Sequence, residues 1–275
     1  RSKALKRCLG LKLFGKTQSK TPTVHLKIDT GMGRIGVHFD RANLFIEKAL
    51  ELVRAGDLIC EGIYTHFADT LDYDFTRIQF DRFMRVLNRA RSVGLQVPIA
   101  HACSSRSIFM YPEFHLDMVR PGIALYGIEP ETERSILPKT IIPVLEWKTK
   151  VVYFKVVGEQ ESVGYGRSWV SRGSHSRIVT LPVGYADGFP RRLSNCGQVL
   201  IRGNQYAVAG RVCMDQVMVS LGPDGTAYLD DEVTLIGKDG ENQISVEMIA
   251  REIGTTPHEI TTGISERVPR VYRQV

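Results

Sequence analysis

The sequence predicts an α/β protein in which a parallel βα array is followed by a mostly β domain. Three observations carry this. Strand-like runs alternate with amphipathic stretches of helix length as far as Tyr126, the pattern of βα units around a parallel sheet. After Pro130 the texture changes to short strand-like segments separated by turns. Hydrophobic residues make up 43% and charged residues 24%, ordinary globular proportions that exclude disorder. The boundary is expected near residue 138, giving units 1–138 and 139–275.

Val24 to Asp29 reads as the first strand, bounded by Pro22 and by Gly31-Met32-Gly33. A helix is expected from Asp40 to Ala55, with Leu44, Phe45, Ala49, Leu52 and Val53 at helix-face spacing and Gly56-Asp57 stopping it. Ile59 to Phe67 is the second strand. Asp74 to Val93 is a long helix closed by Gly94. Pro98 to Cys103 is the third strand, Ser105 to Met110 a short helix, and Met118 to Tyr126 the fourth strand. In the second unit, strands are expected over Val144 to Val157, Ser176 to Leu181, Gln198 to Ile201, Ala207 to Cys213, Gln216 to Ser220 and Glu232 to Ile236. Only Val246 to Ile253 reads as helical there.

Composition also bounds the function. No apolar run approaches the roughly 18 residues needed to cross hydrocarbon, so no membrane span is expected. Net charge is +6, and the first twenty residues hold seven basic residues and no acidic one. A nucleic-acid surface would interleave aromatics or follow a known module, whereas only Phe14 is present. Nor is this start rich in Ser and Arg, as a transit peptide is. The segment therefore reads as a surface helix entered partway through a longer chain, with no nucleic-acid partner. Five cysteines, odd in number and never spaced C-x-x-C, argue for a reducing compartment and against a disulfide framework or a zinc site; no metal is expected.

In parallel α/β arrays functional residues gather at the C-terminal ends of strands. Asp29 to Arg34 follow the first strand, His66 ends the second, Ser104-Ser105 follow the third, and Arg120-Pro121-Gly122 fall within the fourth. Any one of these alone suits capping or loop packing. Together, an Arg, a His, small hydroxyls and backbone-exposing glycines point to an anionic ligand. The Ser105 hydroxyl with the N–H groups of Gly122 and Ile123 would suit a phosphate. The β domain adds Gly164-Tyr165-Gly166, Gly184-Tyr185-Ala186-Asp187-Gly188 and Gly210 to Gln216. A tyrosine between glycines serves either as a rim residue or as a ligand contact, and spacing does not choose between them.

These motifs resemble, in order, those of the bacterial alanine racemase family. They are His25 to Gly36, Thr65-His66-Phe67-Ala68, His101 to Ser105, Val119 to Gly127, Gly164 to Gly166, Gly184 to Gly188, Gly210 to Gln216 and Arg267-Val268-Pro269-Arg270. The resemblance runs from Val24 to Tyr272. It implies a pyridoxal 5'-phosphate enzyme with a (βα)8 TIM-type barrel and a β domain. This chain would carry the C-terminal half of that barrel, strands five to eight. The family implies a cytoplasmic homodimer with shared active sites, converting L-alanine and D-alanine and supplying D-alanine for peptidoglycan.

By the same resemblance Tyr165 is one of two opposed acid/base groups and reaches the partner subunit's site. A free tyrosine, with a pKa near 10, is a poor base unless a cation lowers it. His66 and Arg120 lead to the cofactor's pyridine nitrogen, which an always-protonated arginine leaves unprotonated, suppressing side reactions. Arg34 meets the substrate carboxylate and the cofactor's phenolic oxygen. Lys27 is carbamylated to hold Arg34, or else simply pairs with a carboxylate. Ser105, Gly122 and Ile123 contact the phosphate, Met214 and Asp215 line the partner's substrate pocket, and Tyr185 borders the access corridor.

Two departures stand out. Glu266 occupies a position, beside the phosphate and the substrate side chain, that is usually tyrosine. Either the loop differs or Glu266 points away, and serine becomes a possible second substrate. The family's Schiff-base lysine, in a K-A-N-A-Y-G-H-G-type motif, has no counterpart among these residues. A half barrel would expose unpaired strand edges. The chain is therefore expected to be a portion of a longer polypeptide, with a complementing second chain or a short non-catalytic relative as alternatives.

Overall fold

The computed structural model describes residues 20–129 and 136–273; the basic start lies outside them. It falls into two compact units that divide between Ala124 and Leu125, ahead of the expected 138/139 boundary. The residues in between are tied onward within the second unit. Val144 N–H donates to the Tyr126 carbonyl at 3.1 Å, and Gly127 lies against the Ile142 backbone.

The first unit comprises β1 (Thr23–Asp29), β2 (Val37–His38), α1 (Ala42–Arg54), β3 (Ile59–Tyr64), α2 (Tyr73–Ser92), β4 (Ile99–Ser104), α3 (Ser105–Met110) and β5 (Met118–Arg120). Its strands form a parallel sheet in the order β2-β1-β3-β4-β5. Helix α1 buries Phe45, Ile46, Ala49 and Leu52, a stripe at i, i+1, i+4 and i+7. Helix α2 begins at Asp72, whose carboxylate accepts the Phe75 N–H at 2.9 Å and so satisfies one of the helix's orphan donors. It buries Phe83, Val86, Leu87 and Ala90. These side chains pack with Leu26 and Ile28 of β1, Ile63 of β3 and Ala100 of β4, each large one contributing about 1.5–3 kcal/mol by burial. Strand side chains alternate in direction, so His25, Lys27 and Asp29, which interleave with Leu26 and Ile28, project away from that core.

Two strands end earlier than expected. β3 stops at Tyr64 rather than Phe67. β5 stops at Arg120 rather than Tyr126, because Pro121 has no N–H for the ladder and Ile123–Tyr126 closes into a 3-10 turn. His66 and Arg120 are thereby placed at the C-terminal rim of the sheet.

The second unit comprises β6 (Trp147–Lys150), β7 (Tyr153–Gly158), β8 (Ser162–Val163), β9 (Trp169–Val170), β10 (His175–Leu181), β11 (Gln198–Ile201), β12 (Asn204–Val208), β13 (Val217–Gly222), β14 (Glu232–Asp239), β15 (Asn242–Ile244), α4 (Val246–Ile253) and α5 (Pro257–Gly263). Its main sheet runs β15-β14-β11-β12-β13-β10-β7, with β6 on β14. All of its pairings are antiparallel. Val199, Leu200, Val217, Val219, Val233 and Leu235 are fully buried in it.

The single strand expected over Val144 to Val157 is two, because the chain changes partner. Val151 N–H bonds to Asp231 and Val152 N–H to Thr180. The strand expected over Ala207 to Cys213 ends at Val208. Gly210 turns the chain with a left-handed φ of +86° and lies against the Val163 carbonyl, leaving Arg211 to Cys213 in a loop. Among the described residues no helix is long and apolar enough to cross a membrane.

Candidate active site

Arg120 is the hub of the first unit's polar rim. Its Nη2 donates to the carbonyls of Thr65 and Ala102, both at 2.9 Å, and faces His66 Nδ1 at 3.3 Å, while Nη1 faces His101 Nδ1 at 2.5 Å. A guanidinium only donates, so both imidazoles must accept and both are neutral. Burial, reinforced by the Arg120 charge, lowers each of these histidines to about 4. The Tyr64 ring stacks on His101, 4.8 Å between centroids and 3° between planes. The same ring has Lys27 Nζ 5.1 Å and the Arg120 guanidinium 5.3 Å from its centre, so it holds two cations by their attraction to its π face.

Lys27 is drawn down to about 8, by burial first and by Arg120 next, with Asp29 opposing. Burial acts to raise the Asp29 carboxyl, yet N–H bonds from Gly33 and Gly31, at 3.0 and 3.1 Å, and the Lys27 charge hold it below its usual range. These bonds also shape the turn that carries Arg34, which is exposed and acts on Lys27 and His66 through its charge. Among the described residues, no salt bridge engages Lys27, Arg34 or Arg120. Partly buried cations such as Lys27 and Arg120 are costly without a counter-ion, and an anionic ligand would offset that cost. Among the described residues no His/Cys/Asp/Glu group could hold a metal.

Ser105 opens α3 and is buried. Its Oγ accepts the N–H of Gly122 at 2.8 Å and of Ala124 at 3.3 Å, which leaves its own O–H to donate. Ser105, Gly122 and Ile123 are thus neighbours on the rim that also carries Arg120, and the serine proton is the donor free for a phosphate oxygen.

The second unit gathers its own set. Tyr165 is 70% exposed and stands between Gly164 and Gly166, whose φ values of +76° and +70° are left-handed. The Arg211 guanidinium lies flat on Gly166, where a Cβ would come within 3.2 Å of its Cζ. Tyr185 N–H donates to Cys213 O at 3.0 Å and Ala186 N–H to Met214 O at 2.8 Å. The tyrosine turn is thereby stitched to the loop of Met214 and Asp215. Asp187 binds the turn internally through Gly184 N–H at 2.9 Å and pairs with Arg267 at 3.4 Å. Its carbonyl accepts the Ser265 N–H at 3.0 Å, so the turn carrying Glu266 docks here, with Glu266 itself exposed.

Sequence reading did not assign roles to His25, Glu61 or Tyr64. The available signal was the alternation of His25, Lys27 and Asp29 with buried Leu26 and Ile28 along β1.

A barrel-type βα unit with its polar groups at the strand C-termini, joined to a β domain bearing a glycine-flanked tyrosine, defines the class of protein. Residues 4–130 match the profile of the alanine racemase N-terminal domain and residues 144–272 that of the alanine racemase C-terminal domain. The alanine racemase of Halothermothrix orenii is 45% identical over 252 residues, covering 91% of this chain and 65% of that protein. The structure of alanine racemase from Streptomyces coelicolor superposes with a TM-score of 0.90 at 33% identity, over 97% of this chain and 70% of that one. That of the Bartonella henselae alanine racemase, with covalently bound pyridoxal phosphate, gives a TM-score of 0.84 at 27% identity, over 98% and 71%. The chain spans about two thirds of the length of these relatives. It belongs to the alanine racemase family, and its parallel unit has the architecture of the second half of that family's TIM-type barrel.

Proposed function

We propose that this chain serves a pyridoxal-phosphate-dependent enzyme that interconverts L- and D-alanine. The observation that carries the reading is the half-buried Arg120 guanidinium, held between two neutral histidines, beside Lys27 and Arg34, with no counter-ion among the described residues. Pyridoxal phosphate fits this rim because it brings a phosphate, a phenolic oxygen and a ring nitrogen able to accept a hydrogen bond. When bound, it supplies the electron sink that makes the substrate Cα–H acidic.

The chain's own residues do the rest. The Ser105 hydroxyl and the Ile123 N–H bind the phosphate, while the Gly122 N–H holds the Ser105 oxygen in place. Arg120 donates to the ring nitrogen and keeps it unprotonated, with His66 holding the guanidinium from one side. Arg34 orients the phenolic oxygen and the substrate carboxylate. The lowered pKa of Lys27 leaves part of it as the neutral amine, which adds carbon dioxide and releases a proton to give a carbamate that holds Arg34. Tyr165, projecting from a homodimer partner, moves the proton at Cα on the L-face. The opposing base in the family is a lysine in a motif that these residues do not contain. Met214 and Asp215 of the partner line the pocket, and Tyr185 borders the corridor to it. A cytoplasmic role supplying D-alanine to peptidoglycan follows from the same reading.

The test is Tyr165→Phe in the full-length enzyme, which should lower racemisation by about 10²–10⁴-fold, the scale of a lost general base. Normal rates in both directions would overturn the assignment. Rates on alanine and serine before and after Glu266→Tyr decide substrate preference; an unchanged ratio removes Glu266 from it.

A further inference from the structure

We propose that Glu61 and His25 are positioning residues for Arg120, acting through a one-way hydrogen-bond relay that passes through His101. The proposal rests on the reading that Arg120 serves the cofactor ring. Three contacts make the relay. Glu61 Oε2 lies 3.0 Å from His25 Nε2, His25 Nδ1 lies 2.8 Å from His101 Nε2, and His101 Nδ1 meets Arg120 Nη1 at 2.5 Å.

The ends of the relay dictate its direction. Arginine only donates and a carboxylate only accepts. His101 Nδ1 must therefore accept from Arg120, which places the His101 proton on Nε2. That proton is donated to His25 Nδ1, which places the His25 proton on Nε2, where it is donated to Glu61. One tautomer of each ring satisfies all three contacts, and flipping either ring's tautomer breaks two of them.

The surrounding packing holds the rings in this arrangement. The His25 and His101 rings meet edge to face, at 4.9 Å and 63°, while Tyr64 stacks on His101. Strand register brings them together, since His25 of β1 pairs with Gly62 of β3, and Tyr64 of β3 pairs with His101 of β4. Gly62 is where the His25 ring passes, and a Cβ there would stand 2.4 Å from His25 Nδ1. Exposure rises along the relay, from 4% for His101 to 25% and 50% for the side chains of His25 and Glu61. A carboxylate is thus wired to a half-buried cation that touches no carboxylate among the described residues. The relay fixes the plane of the guanidinium, and with it the donor aimed at the cofactor.

The experiment uses the full-length enzyme loaded with pyridoxal phosphate and carrying ¹⁵N-labelled histidine. Imidazole ¹⁵N spectra at neutral pH should show His101 wholly as the Nε2–H tautomer. Glu61→Leu and His25→Phe should move part of that population to Nδ1–H. They should also lower kcat on the order of tenfold, less than the ~100-fold that a 1 Å misplacement of a reacting group can cost, and raise the fraction of turnovers lost to side products. Glu61→Gln keeps an acceptor oxygen and should restore both readouts. An unchanged His101 tautomer in both variants, or Glu61→Gln as impaired as Glu61→Leu, would overturn the relay. A shifted tautomer with unchanged kinetics supports the relay and removes Arg120 from the cofactor instead.

Discussion

His66 Nδ1 lies 3.3 Å from Arg120 Nη2, an imidazole nitrogen held as an acceptor by a group that only donates. Protonating that nitrogen would set two donors against each other beside a fixed charge. The pH consequence has a definite sign. An unfolded histidine takes up its proton near 6.5, whereas His66 and His101 in the fold do so near 4. Between those values the unfolded chain holds more protons, so stability falls as pH drops from about 6.5 towards 4. Denaturant midpoints measured across that interval should decline, and His66→Gln should flatten part of the decline. Identical profiles for the two proteins would refute the account.

Ser105→Ala removes the acceptor for two backbone N–H groups and the proposed phosphate donor at once. Each buried amide left unpaired costs about 1–3 kcal/mol. The variant should therefore melt lower, and pyridoxal phosphate should bind it about tenfold more weakly, a difference of about 1.4 kcal/mol. Fluorescence titration of the apoenzyme measures the second effect separately from the first.

Asp187 joins the Tyr185 turn to Arg267 through a side chain that is 12% exposed. Asp187→Ala strands the Gly184 N–H and frees Arg267, at a cost of about 1–3 kcal/mol. Asp187→Asn keeps an acceptor for Gly184 and should lose less. Urea unfolding of the two variants orders them, and the reverse order would contradict this geometry.

Gly62→Ala should destabilise the first unit by about 1–3 kcal/mol, the usual penalty for overpacking. The new methyl can be accommodated only by moving His25 or the Ile99 carbonyl, each about 2.4–2.6 Å from its ideal position. A double variant with His25→Ala should recover part of the loss, which thermal unfolding would reveal.

Much of the fold was legible in order and type. Helix α3, strand β11 and helix α4 have the bounds that the sequence predicts, and the ends of α1 and α2 lie within two residues of those expected. These elements carry strong periodicity or clear stops, such as Gly94 and Gly254. β2, two residues long, has no period to read. α5 was missed although Thr256-Pro257 is a serviceable start signal for a helix, because its seven residues bury little apolar surface beyond Pro257 and Ile260. The Gly210 loop reads as strand because apolar residues flank it, whereas its close approach to Val163 and its bond to Asn195 involve residues distant in the chain.

Among the site residues, Ser105, His66 and Arg120 were visible as polar side chains where strands end. The parts of His25, Glu61 and Tyr64 were not, since each depends on which residue lies opposite on the neighbouring strand. The sequence alone determined the βα order, the later β domain, the family motifs and the polar residues Arg34, His66, Ser105 and Arg120 placed where strands end. Only the tertiary structure decided that Gly62 leaves room for an imidazole, that His66 and His101 are neutral, and that Arg120 is tied to Glu61. Local propensity acts between residues a few positions apart, whereas burial, tautomer and charge are set by groups that strand register brings together from dozens of residues away.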